Sequence, residues 1–128
     1  MTYNLTKKVN YSFDEALEKT KAALSNEGFG VISEIDLKDK FREKLNIDFR
    51  EYRILGACNP KLAHQAIEKE DKIGVLLPCN VLVQKHENGQ VEVTAVNPME
   101  TMSGVNNPEL DLIASEVSSK LQKVIESV

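Results

Sequence analysis

Along this chain the apolar residues switch repeatedly between a two-residue and a roughly four-residue period, which restricts the fold to layered strands and helices. Tyr3, Leu5 and Val9 mark one side of an extended segment over residues 2–9, broken by Lys7, as in a strand near a sheet edge. Ser12 and Glu15 form a capping box, and Phe13, Ala16, Leu17, Thr20 and Leu24 then carry a helix from Phe13 to about Glu27, ended by Gly28. Phe29, Val31 and Ile35 alternate with Gly30 and Glu34 in a second strand, where Ile32 indicates that part of the other face is also covered. Asp36 caps a short helix striped by Leu37, Phe41 and Leu45, and residues 46–50 form a loop.

The second half repeats the alternation. Tyr52–Cys58 reads as a strand, and Asn59-Pro60 starts a helix with Asn as cap and Pro in the first turn, its buried face formed by Leu62, Ala63, Ala66 and Ile67. Ile73–Leu77 reads as a buried strand interrupted by Pro78, and Val81–Lys85 resumes the extended pattern. Asn88-Gly89 is a hairpin turn that makes Val81–Lys85 and Val91–Val96 antiparallel neighbours. Asn97-Pro98 terminates the strand, a loop with Met99 and Met102 follows, and Asn107-Pro108 opens a long C-terminal helix on Leu110, Ile113, Ala114, Val117, Leu121, Val124 and Ile125. The expected fold is a single α/β (α+β) domain over residues 1–128, a mixed sheet packed with amphipathic helices. A right-handed crossover through the helix at 60–70 makes strands 52–58 and 73–77 parallel, so that Cys58 and Cys79 meet at one sheet edge, their Cα atoms within roughly 10 Å.

Composition narrows the function classes. Sixteen basic and twenty acidic residues give a net charge of −4 with no basic block, which argues against nucleic acid as a partner. No apolar run is long enough to span a bilayer, and the first residues lack the pattern of a secretory signal, so the expectation is a cytoplasmic protein without membrane contact. Two cysteines in such a chain are expected as reduced thiols.

Cys58 immediately precedes the cap Asn59, where helix N–H groups and the helix dipole favour a thiolate; the alternative is a small buried residue sharing a strand face with Ile54 and Tyr52. Cys79 follows Pro78 at a strand break, where freed backbone groups can hold a ligand or be satisfied by Asn80; simple strand-end packing is the alternative. Arg53 either presents a guanidinium to an anionic ligand or pairs with nearby acids. His64 and His86 do not stand in metal-ligand spacing with either cysteine, so no metal and no cofactor is expected. Gly28 and Gly30 lack a phosphate-loop pattern. Met99 and Met102 receive no role.

The stretch Tyr52-Arg53-Ile54-Leu55-Gly56-Ala57-Cys58-Asn59-Pro60, followed by Leu77-Pro78-Cys79-Asn80, resembles the signature of the prokaryotic family called domain of unknown function 302. The resemblance extends over almost the whole chain. It implies a compact TT1751-like fold, assembly as a homodimer, and attention to Gly56, Cys58, Asn59, Pro60, Pro78, Cys79 and Asn80. An aspartate commonly precedes the proline at position 98 in that pattern, whereas this chain has Asn97.

The leading functional expectation is a small binding module holding a small molecule or partner chain at the two cysteine motifs, with Arg53, Gly56, Cys58, Asn59, Pro78, Cys79 and Asn80 as candidate contacts. The alternatives are a thiol-dependent enzyme or redox protein using Cys58 with Cys79, and a structural homodimer. Apolar residues on both strand faces, such as Val81 with Leu82 and Val31 with Ile32, also favour a homodimer.

Overall fold

The computed structural model describes residues 2–128. Five strands, β1 (Asn4–Val9), β2 (Gly30–Asp36), β3 (Tyr52–Cys58), β4 (Cys79–Lys85) and β5 (Val91–Val96), form one sheet in the order β1-β5-β4-β3-β2. The helices are α1 (Phe13–Asn26), α2 (Leu37–Leu45), α3 (Pro60–Lys69), α4 (Pro98–Thr101) and α5 (Asp111–Ser127). The α+β single-domain class stands. The expected mixture of parallel and antiparallel strands does not, because every strand pair is antiparallel.

The reason lies in residues 59–78. Ile73–Leu77 is not a strand; Asp71–Leu76 forms a 3-10 helix that follows α3, with Ile73 buried and Val75 exposed. A short apolar run has no periodicity to separate strand from helix, and here the helical choice lets the chain leave β3 and re-enter the sheet at the same end. No crossover is needed, and β4 begins beside the residue where β3 finishes, with Ala57 opposite Cys79.

Strand alternation places Leu55, Ala57, Val81, Val83, Val91, Val93 and Ala95 on one face, all buried. Against them pack α1 through Phe13, Ala16, Leu17 and Leu24, and α5 through Val117, Leu121, Val124 and Ile125. The caps are those that the side chains suggest: the Glu15 N–H donates to Ser12 Oγ, the Asp39 N–H to Asp36 Oδ1 and the Leu62 N–H to Asn59 Oδ1. Gly28, at φ +83°, turns the chain out of α1, and a Cβ there would meet Asn59 Nδ2 at 3.2 Å. Asn107 caps a 3-10 turn over Pro108–Leu110, which runs directly into α5.

A second, smaller cluster joins α3 to the region before α5: Ala66, Ile73, Met102, Leu110 and Ala114. Ile67, expected in the buried face of α3, is 45% exposed. β2 is an edge strand without a buried residue, so Val31 and Ile35 do not contribute to the core in the way their alternation suggests. Among the described residues no helix is long and apolar enough to cross a membrane.

Gly56 sits where β2, β3 and the start of β4 crowd together. A Cβ at this position would overlap Ser33 Oγ and come within 2.8 Å of Pro78 Cγ. Gly56→Ala is therefore expected to destabilise the protein by about 1–3 kcal/mol, the usual range for overpacking. Thermal denaturation checks this, and adding Ser33→Ala should recover part of the loss, because the overlap with Ser33 Oγ is then removed while the close approach to Pro78 remains.

Candidate functional site

The seam between the two apolar clusters is incompletely filled. It leaves a cavity of about 300 Å³ bounded by the end of the β3–β4 pair, α3, and the first half of α5. Ala57, Cys58 and Asn59 line it from the exit of β3, Pro78 and Cys79 from the entry of β4, and Leu62, Ala63, Ala66 and Ile67 from α3. Met102, Ile113 and Val117 close the opposite side, and Phe29, Ile32 and Leu77 complete it. Ile32 is the extra residue in a bulge between Val31 and Ser33; it faces the cavity yet remains 65% exposed, which brings the cavity to the surface there. No charged residue lines the cavity among the described residues.

Cys58 and Cys79 thus share one cavity, but by a different route from the parallel arrangement expected. Cys58 ends β3, whereas Cys79 begins β4. The register sets Cys79 opposite Ala57, so pleating directs the two cysteine side chains to opposite faces of the sheet and disfavours a direct bridge. Both are free thiols. Burial pushes the Cys79 thiol up to about 11, with the nearby Cys58 adding to the shift. Cys58 is half-buried at the cavity wall. Its helix neighbour is already partly satisfied, since Pro60 has no N–H and Asn59 Oδ1 accepts the Leu62 N–H at 3.3 Å.

Asn59 has a second tie, a long contact of 3.5 Å from Nδ2 to the Glu27 carbonyl, linking the start of α3 to the end of α1. Gly56 and Asn80 are register partners outside the cavity lining, and Gly56 acts indirectly by admitting Pro78. Arg53 lies elsewhere. Its guanidinium bonds Glu34 at 2.6 Å and Asp36 at 3.1 Å and stands over the Phe13 ring, so it is paired with acids and does not face the cavity. Hydrogen bonds from Lys21 and then Arg53 hold the Glu34 carboxyl below its ordinary value.

Neither histidine joins the site: His64 pairs with Glu68 on the surface, and His86 meets Glu92 Oε1 at 2.8 Å. Among the described residues no three His, Cys, Asp or Glu side chains gather as a metal site. Asn97 also stands apart. Its Oδ1 accepts from the Met99 N–H and the Ser118 hydroxyl while Nδ2 donates to the Thr2 carbonyl. An aspartate there would keep both acceptor roles and lose the donor. The sequence reading passed over Met102, Phe29, Ile113 and Val117; their only signal was apolar character, which core packing shares.

A family model described as domain of unknown function DUF302 matches residues 5–128. A solved structure, the crystal structure of an uncharacterized conserved DUF302 protein from Bacillus stearothermophilus, superposes with a TM-score of 0.92 at 28% identity, covering 99% of this chain and 98% of that one. No curated protein matches the chain.

The two thiols should differ sharply in reactivity. With a pKa of about 11, Cys79 holds roughly one thiolate in ten thousand at pH 7, and its side chain is 7% exposed. Iodoacetamide near neutral pH should therefore label Cys58 first in the folded protein and reach Cys79 only after unfolding. Peptide mapping by mass spectrometry reads the order, and equal native rates at both positions would contradict it.

Proposed function

Because the chain belongs to the DUF302 family, whose description assigns no reaction, function must come from the site, and we infer a small binding module that holds an apolar small molecule in the Cys58–Cys79 cavity. The observation that carries this reading is the cavity itself, about 300 Å³ and lined by apolar side chains, two thiols and Asn59. That volume lies at the lower end of small-molecule sites. Four of the seven candidate contacts, Cys58, Asn59, Pro78 and Cys79, border it. Thiol catalysis is the weaker reading, since no histidine or carboxylate stands among the lining residues to activate Cys58 and Cys79 stays protonated. The reading fits a reducing cytoplasm, where both cysteines remain thiols. Nucleic acid is not among the proposed partners, given the net charge of −4.

Native mass spectrometry of freshly purified protein tests the reading. The expected result is a non-covalent adduct on the wild-type chain that is absent from Ala63→Trp, whose indole fills the cavity from α3. A bare wild-type chain, or an adduct that survives in the variant, would remove the proposal.

We also propose that the protein is a homodimer. The supporting observation is β2, an edge strand with no buried residue, on which Val31, Ile32 and Ile35 are 36%, 65% and 41% exposed. Exposed apolar edge strands invite pairing with another chain. Sedimentation at micromolar concentration should show twice the 14.3 kDa chain mass, and Ile35→Lys should shift the population toward monomer. A wild-type protein that sediments only as monomer would exclude the dimer.

A further inference from the structure

The cavity restricts its occupant more tightly than a general apolar site, and the inference here rests on the binding reading above. Three of its lining residues carry sulfur: Cys58, Cys79 and Met102. None of the three sulfur atoms makes a hydrogen bond among the described contacts. Divalent sulfur is polarizable and contacts aromatic rings favourably, preferentially near the ring edge. Phe29 supplies an aromatic wall of its own.

Charge is limited as strictly. No cationic side chain lines the cavity, and the protonated Cys79 adds no charge of its own. A carboxylate or phosphate placed inside would lose its water without a partner to replace it. Beside the two thiols, which are weak donors and acceptors, the strongest side-chain donor with spare capacity is Asn59, whose Nδ2 has only the 3.5 Å contact to Glu27. This suits an uncharged polar group better than an ionised one. Volume sets the scale: a sealed apolar cavity of about 150 Å³ takes up benzene, and about 300 Å³ that opens to the surface has room for two fused rings.

We propose that the cavity bounded by Cys58, Cys79, Met102 and Phe29 binds an uncharged, planar, two-ring aromatic molecule. The sulfur atoms and Phe29 provide the polarizable contacts.

The test uses the full wild-type chain and reads the native alkylation rate of Cys58 in the presence of naphthalene, indole, 2-naphthoate or decalin, at matched concentration. Naphthalene and indole should slow alkylation at least about fivefold, whereas 2-naphthoate, carrying an unpaired carboxylate, should slow it less than about twofold. Decalin, of similar size but saturated, should protect less than naphthalene. Equal protection by 2-naphthoate would overturn the requirement for an uncharged ligand and leave the cavity reading standing. Equal protection by decalin would overturn the aromatic preference alone. If none of the four slows Cys58, the cavity is not a binding site and both readings fall together.

Discussion

The antiparallel pairing of β3 with β4 is the constraint from which the rest of the site follows. With Ala57 opposite Cys79, the chain must leave the sheet after Cys58 and return to the same end twenty-odd residues later, roughly the span of a helix and a turn. The excursion 59–78 accordingly carries α3 and a 3-10 helix. Both cysteine motifs become the two mouths of that one excursion, so their closeness is a property of strand register and not of any bond between them.

The same excursion creates the cavity. α1 and α5 can seal the sheet face because their apolar stripes are broad and the strands beneath them are regular. α3 gives Leu62 to that core and, through Ala66, builds a second small cluster with Ile73, Met102, Leu110 and Ala114. Two clusters that close around different partners do not merge fully, and Ile113, which packs against both, bridges the gap without filling it. The result is a pocket at the seam, apolar in its lining and open to the surface beside Ile32 and Ile67.

Gly56 shows how narrowly this end of the sheet is assembled. It contributes nothing to the cavity wall, yet its missing Cβ lets Ser33 of the edge strand and Pro78 of the returning chain approach the same point on β3. Pro78 in turn lines the cavity beside Cys79. A residue singled out with the cysteines is thus tied to them through backbone approach and not through chemistry.

Much of this was legible in local sequence. The Ser12, Asp36 and Asn59 caps, the Asn88-Gly89 hairpin, the span Tyr52–Cys58 and the stripes of α1 and α5 depend on residues a few positions apart, and local hydrogen bonding and periodicity fix them wherever the segment lies in the fold. One misreading and one open alternative mark the boundary. Ile73–Leu77 looked like a strand because a short apolar run is compatible with either state, and only the need to return to β3 from the same end made it helical. For Arg53 the sequence left ligand and acids as alternatives, because its partners Glu34 and Asp36 are distant in sequence and meet it only across the β2–β3 register. By itself, then, the sequence determined most of the elements outside residues 71–78 and 98–105, their caps and the identity of the two cysteine motifs, since those are matters of short-range geometry. Tertiary structure alone decided strand direction, the burial that keeps Cys79 protonated, and the cavity that Cys58 and Cys79 share, because each arises from surfaces that come together only when distant segments pack.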